Sequence, residues 1–202
     1  MTLLLRIDPR APDPDAVSPA AAAVKKGGII VIPTETVYGL GGDGGRADVV
    51  KRIYAIKGRA ENKPLTRLAA DWGDLDEVGW RPEARRVAEK FWPGPLTLVL
   101  PLRDGGAQGF RFPDHALTRA IVREAQVRFV ATSANRSGEP PAVDGEEAER
   151  IFGGVVDLIL DGGKVGGAAS TVLDLSVTPP RLLREGPVSR KELEKAWGRA
   201  IL

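Results

Sequence analysis

Cysteine is absent from the 202-residue chain and histidine occurs once, at His115. Disulfides, zinc–thiolate sites and cysteine nucleophiles are therefore excluded, as are metal sites built from several histidines. One imidazole leaves at most one histidine general base. Aromatic residues make up only 5% of the chain. The four tryptophans, Trp72, Trp80, Trp92 and Trp197, are scattered, which suits packing better than a platform for stacked bases. Neither sign of charge dominates: 29 Lys and Arg stand against 27 Asp and Glu, a net +2. That balance argues against a surface that is basic all over and leaves room for a local basic patch. No apolar run approaches the ~20 residues a membrane-spanning helix needs. Arg6 and Asp8 interrupt the short apolar run after Met1, so no secretory signal is expected. The expected setting is cytoplasmic, with no membrane contact.

What is present is a chain that is 43% hydrophobic, enough for a sizeable core. Leu3–Ile7 reads as an opening strand. Asp13-Pro14 gives an N-cap with proline at the first helical position, and Gly27-Gly28 ends the helix that follows. Ile29–Ile32 is a short β-branched strand, stopped by Pro33. Val49, Val50, Ile53 and Ile56 fall at helical spacing, so 47–56 is expected to be helical. Pro64–Ala70 is extended, and Pro82–Phe91 is a helix opened by proline and closed by the turn Trp92-Pro93-Gly94-Pro95. Leu96–Leu102 and Val127–Thr132 read as strands, separated by a helix capped at Asp114. Asp144 with Glu147, and Ser189 with Glu192, have the spacing of capping boxes. Asp157–Leu160, Thr171–Leu175 and Arg181–Arg184 are strands with no helix between them. The expectation is a single α/β domain over residues 1–202, with a twisted, mixed sheet flanked by helices.

Gly39-x-Gly41-x-x-Gly44 matches the glycine spacing of a dinucleotide fingerprint, but its context fails. The strand before it ends six residues too early, and no acidic residue follows at the required distance. Gly162-Gly163-Lys164 lacks the Ser or Thr of a phosphate-binding P-loop. Other polar segments are more informative. Thr34, Glu35 and Thr36 follow a buried strand, either as turn residues or as hydroxyls delivered to a crevice. Lys57, Arg59 and Lys63 lie past a helix, in a loop able to converge three cations on a phosphate chain. Ser133-Ala134-Asn135 follows a strand, as an ordinary Asx turn or as donors and acceptors for a polar ligand. His115 is expected to be structural or to support a neighbouring substrate contact. The inventory is one of hydroxyls, amides and fixed cations, suited to holding a phosphorylated nucleotide and a small anion.

These segments, in order, resemble the YrdC-like family of threonylcarbamoyl-AMP synthases. The resemblance runs from about Ala16 to Val188. It rests on Pro33-Thr34-Glu35-Thr36-Val37-Tyr38-Gly39-Leu40-Gly41, Lys57-Gly58-Arg59 with Lys63-Pro64-Leu65, and Trp92-Pro93-Gly94-Pro95-Leu96-Thr97. Arg111-Phe112-Pro113-Asp114-His115, Thr132-Ser133-Ala134-Asn135-Arg136-Ser137-Gly138, Ser170-Thr171-Val172-Leu173-Asp174-Leu175 and Leu183-Arg184-Glu185-Gly186-Pro187 complete it. It implies synthesis of L-threonylcarbamoyladenylate from L-threonine, bicarbonate and ATP with release of pyrophosphate. Other proteins would then transfer the threonylcarbamoyl group to tRNA. By the resemblance, Lys57 and Arg59 are catalytic. Thr34, Thr36, Arg111, Ser133 and Ser170 hold threonine, and Arg59, Lys63, Asn135 and Arg184 hold ATP. Mg²⁺ would arrive on the nucleotide and no protein metal site is expected.

One departure stands out: many relatives place a substrate-contacting histidine where this chain has Leu68. The chain is also expected to lack the extra C-terminal domain of longer synthases. The alternative from another class is a non-catalytic module binding tRNA or double-stranded RNA through the same basic cleft. A diverged paralogue with another substrate is the third reading.

Overall fold

Alternation in the Ile30-Val31-Ile32 strand sets the layering of the protein. Ile30 and Ile32 enter one apolar cluster and Val31 enters another, so helices must cover both faces. A computed structural model describes residues 1–8, 13–58, 60 and 63–202. Its strands are β1 (Leu3–Arg6), β2 (Ile30–Ile32), β3 (Gly39–Asp43), β4 (Thr66–Leu68), β5 (Leu96–Pro101), β6 (Ala107–Arg111), β7 (Phe129–Ser133), β8 (Leu158–Asp161), β9 (Thr171–Asp174) and β10 (Arg181–Arg184). They form one sheet in the order β1-β8-β2-β3-β7-β4-β6-β5-β9-β10. Parallel pairs such as β2/β8 and β5/β9 mix with antiparallel ones such as β3/β7 and β5/β6. The mixed α/β sheet expected from the sequence is what forms.

The helices are α1 (Pro14–Lys25), α2 (Ala47–Lys57), α3 (Pro82–Phe91), α4 (Ala116–Ala125), α5 (Gly145–Phe152) and α6 (Arg190–Trp197). A short 3₁₀ turn spans Trp72–Leu75. Residues of α1 and α4 pack with Ile30, Ile32, Leu158 and Leu160 on one face. Residues of α2 and α5 pack with Val31 and Ile159 on the other. A third cluster joins α3 and α6 to Leu96, Leu98, Leu100, Phe110 and Leu173. Burying each such side chain contributes about 1.5–3 kcal/mol. The caps are local: Asp13 accepts from the Asp15 amide at 2.9 Å, and Ser189 and Glu192 complete a reciprocal box.

Sequence and structure differ at several points. The glycine-rich run 39–44 contains strand β3, which its composition hides. A Cβ at Gly41 would lie 2.5 Å from the Val130 carbonyl oxygen, and one at Gly42 2.9 Å from Val49 Cγ1. These glycines permit close packing in a sheet, not a pyrophosphate turn. Strand β6, Ala-Gln-Gly-Phe-Arg, is likewise unannounced by its residues. The cap of α4 is His115, whose ring nitrogen accepts from Thr118, and not Asp114. At α5, Asp144 caps the Glu147 amide, but Glu147 reaches the Val143 amide, so the expected box is half formed.

Candidate functional site

Residues paired across a sheet share a face, and one such face forms the floor of a cleft of about 690 Å³. Thr97 on β5 lies opposite Arg111 on β6 and beside Val172 on β9. Arg111 pairs in turn with Leu68 on β4, and Ser133 on β7 with Gly39 on β3. On β5, β6 and β9 the opposite face carries Leu98, Phe110 and Leu173 into the core. Period-two alternation therefore sends apolar side chains one way and Thr97, Arg111 and Ser133 into the cleft. Small residues, Gly39, Gly109, Ala107 and Ala131, keep that floor low enough to admit a ligand.

Lys57 ends α2, where Gly58 takes the left-handed conformation with φ 61°. Its side chain runs inward and the residue is only 2% exposed. Nζ donates to the Ser133 carbonyl at 2.7 Å, Asn135 Oδ1 at 2.6 Å and the Asn135 carbonyl at 3.1 Å, with Ser133 Oγ at 3.3 Å. Ser133 Oγ donates to Asn135 Oδ1 at 2.7 Å. The Asn135 amide nitrogen donates to the carbonyls of Arg136 and Glu139. Lys57 was expected to act in catalysis by facing the phosphates. Instead it lies behind the cleft and holds the Ser133–Asn135 loop in shape. Asn135, expected to contact ATP, also spends its carboxamide on that loop. Burial explains both: an ammonium so enclosed must be surrounded by acceptors.

At the other wall, Arg111 Nη2 donates to Thr36 Oγ1 at 2.8 Å and approaches Glu35 Oε2 at 2.8 Å. The second contact is an ion pair whose angle falls outside hydrogen-bond geometry. Neither Glu35 oxygen accepts a hydrogen bond, and Arg111 Nε makes none. Thr34 Oγ1 lies 2.9 Å from Thr36 Oγ1 and donates to the Val37 carbonyl at 2.7 Å. Nearby His115 is buried, and its ring titrates below the ordinary histidine value. Desolvation is the main cause and Arg119 adds to it, while Glu35 and Asp114 pull the other way. Tyr38 also lines the cleft, and burial pushes its phenol well above the usual tyrosine range. It therefore serves as a neutral group, donating to the Gly163 carbonyl at 2.7 Å.

Across the floor, Ser170 Oγ lies 2.9 Å from Thr97 Oγ1 and accepts from Arg184 Nη2 at 3.2 Å. Arg184 Nε also donates to the Ser170 carbonyl at 2.9 Å. Of the residues singled out in the sequence, the cleft brings together Thr34, Lys63, Arg111, Ser133, Ser170 and Arg184. Thr36 sits behind Arg111 and steadies it. Arg59, expected to serve both catalysis and ATP, lies outside the described residues. Leu68 lines the cleft at 5% exposure. Sequence reasoning missed Thr97, although its place in a polar–apolar alternation was a usable signal. Glu35 was noted there only as a turn residue; a charge between two buried threonines could have marked it. Among the described residues no group of three or more His, Cys, Asp or Glu could hold a metal ion. Nor is any helix there long and apolar enough to cross a membrane.

A mixed sheet whose open face carries hydroxyls and guanidinium groups into a cleft defines the class: an α/β protein with a polar cleft on its sheet. The chain belongs to the Sua5/YciO/YrdC family, whose model, described as "Telomere recombination", matches residues 22–186. It is 37% identical over 195 residues to the threonylcarbamoyl-AMP synthase of Bacillus subtilis, covering 90% of this chain and 56% of that protein. It thus spans little more than half the length of that relative. The crystal structure of Pyrococcus abyssi Sua5 complexed with L-threonine matches with a TM-score of 0.91 and 33% identity, over 100% of this chain and 62% of that one. E. coli YciO matches with a TM-score of 0.88 and 26% identity, over 96% of this chain and 100% of that one.

Proposed function

We propose that this chain synthesises L-threonylcarbamoyladenylate from L-threonine, bicarbonate and ATP, releasing pyrophosphate. The observation that carries the reading is the cleft, which Thr34, Lys63, Arg111, Ser133, Ser170 and Arg184 all line. It lies in a fold that matches a relative's L-threonine complex. The name carried by the Bacillus subtilis relative supports the same chemistry. The threonine ammonium gives up a proton to solvent, and the free amine condenses with bicarbonate to a carbamate with loss of water. A carbamate oxygen then attacks the α-phosphorus, the bond to the β-phosphate oxygen breaks, and pyrophosphate leaves with the electron pair.

That attack needs no proton removed by the protein, because the carbamate oxygen is already an anion. It needs alignment and charge stabilisation. Arg111, with Thr34 beside it, takes the threonine carboxylate. Ser133 and Ser170 orient the carbamate. Lys63 and Arg184, with Arg59, meet the phosphate charges. Lys57 and Asn135 act one step back, by fixing the loop that presents Ser133. Mg²⁺ would enter on the triphosphate, held chiefly by the nucleotide. The product is a mixed anhydride, and threonylcarbamoyl-transferring proteins would consume it to modify tRNA.

Pyrophosphate release tests the reading. It should require ATP, L-threonine and bicarbonate together. ADP and phosphate as products, or full turnover without bicarbonate, would contradict it. Salt-dependent RNA binding with no threonine-dependent pyrophosphate would favour a nucleic-acid-binding module instead.

A further inference from the structure

Glu35 has no part in the chemistry above, yet it is the charge closest to the cation assigned to the substrate. The Arg111 side chain is 9% exposed and that of Glu35 21%. Three polar atoms in this pair are closed to solvent and lack a hydrogen-bond partner: Arg111 Nε and both Glu35 carboxylate oxygens. The neighbouring hydroxyls do not relieve them, because Thr34 and Thr36 engage each other and Thr34 donates to the Val37 carbonyl. A fold that only needed a filler between two threonines would not carry a carboxylate here. Leaving such groups unpaired is unfavourable and calls for a reason in function.

We propose that Glu35 is a specificity-determining residue. By cancelling the Arg111 charge, it reserves this end of the cleft for an amino acid of no net charge and turns away simple anions and acidic amino acids. The inference rests on the reading of Arg111 as the threonine carboxylate site. The carboxylate oxygens are shut off from solvent, so Glu35 acts on the ligand through its charge and not by contact. Without Glu35, a largely buried guanidinium would attract any anion that fits. With it, the pair is neutral. A zwitterion brings its carboxylate to Arg111 and its ammonium to the negative field of Glu35. Sulfate or the second carboxylate of aspartate brings only repulsion. The extra charge of the carbamate forms later, in a cleft that Lys63 and Arg184 also line.

The test is calorimetric titration, without nucleotide, of wild-type protein, Glu35→Gln and Glu35→Asp with L-threonine, L-aspartate and sulfate. Glutamine keeps the shape and removes the charge; aspartate keeps the charge. In Glu35→Gln, aspartate and sulfate should gain roughly tenfold or more relative to threonine, as expected for removing a like charge a few ångströms away. Glu35→Asp should keep the wild-type order. Unchanged ratios in Glu35→Gln, or an equal shift in Glu35→Asp, would overturn the proposal. Should Glu35→Gln not fold, wild-type competition decides: sulfate should fail to displace threonine at matched concentration, and displacement would overturn it. Absence of threonine binding by wild-type protein would instead count against the proposed function, while the gain in sulfate binding would still report on Glu35.

Discussion

Two buried cations flank the same cleft and live in opposite circumstances. Lys57 is enclosed by four oxygens of the Ser133–Asn135 loop, at 2.6–3.3 Å. Arg111 has one hydrogen bond to Thr36, a misaligned ion pair with Glu35, and a buried Nε with no partner. The first network is complete without a ligand. The second leaves Arg111 short of partners at the floor of the cleft. A basic residue in a motif can thus be fully engaged by its own loop while another, similarly buried, is the proposed binding group. What separates them is the satisfaction of their hydrogen bonds, not their charge or burial.

The largest effect expected from this contrast is in Lys57→Met. Methionine fills the channel but leaves the loop oxygens without a donor. Stability should fall by roughly 3 kcal/mol, measured by urea denaturation, because buried acceptors lose a charged partner. Pyrophosphate release should fall with it, through kcat, since the loop presenting Ser133 loses its anchor. An unaltered unfolding midpoint would show that the loop stands without Lys57, and the contrast would collapse.

Arg111→Lys should behave in the opposite way. Lysine keeps a positive charge for Glu35 but loses the planar fork. The KM for threonine should rise about 10–100-fold, the loss of one charge-assisted contact. Stability should suffer less than in Lys57→Met. A large loss of stability with an unchanged KM would place Arg111 among the structural cations instead.

A third variant asks whether the contrast concerns polar networks or packing. Gly41 lies on β3, two residues along from the Gly39–Ser133 pairing. Gly41→Ala puts a methyl against the Val130 carbonyl and the Phe129 ring, at about the cost of overpacking a core, roughly 1–3 kcal/mol. At a temperature where the variant is folded, the threonine KM should match wild type. A changed KM would mean that sheet packing, and not the hydrogen-bond inventory, sets the geometry at Arg111.

Much of this was legible in the residues. Helix starts were readable wherever a side chain carries the signal locally, as at Asp13-Pro14 and Ser189-x-x-Glu192. Strands β2 and β8 announced themselves by apolar runs. Strands β3 and β6 did not, because glycine and glutamine weaken the strand signal, and what places them is the close approach of neighbours distant in sequence. The site divides in the same way. That Thr34, Lys63, Arg111, Ser133, Ser170 and Arg184 belong to one site was implied by the family resemblance their motifs carry. That Lys57 and Asn135 point into each other did not, since side-chain direction at the end of α2 depends on how Gly58 turns the chain. Glu35 was hardest to read, because its meaning depends on bonds it fails to make.

The smallest expected effect belongs to the residue that a conventional reading would make the catalyst. His115 caps α4, with Nδ1 3.4 Å from the Thr118 amide and 3.2 Å from Thr118 Oγ1. In the proposed chemistry the nucleophile is a preformed carbamate oxygen, so no base is required. His115→Asn, which retains a capping side chain, should keep kcat within a few-fold, against the ~10²–10⁴-fold expected on losing a true general base. The pH dependence of stability gives a second and independent readout. Burial lowers the His115 pKa in the folded protein, so the fold favours the neutral ring. That contribution to stability is fully present above the unfolded value of about 6.5 and is lost as pH falls through the lowered folded value. Denaturation midpoints of the wild type should therefore fall below pH 6.5, and His115→Asn should flatten that fall. A hundredfold loss of kcat in folded His115→Asn, with a pH–rate limb near the histidine pKa, would reinstate base catalysis.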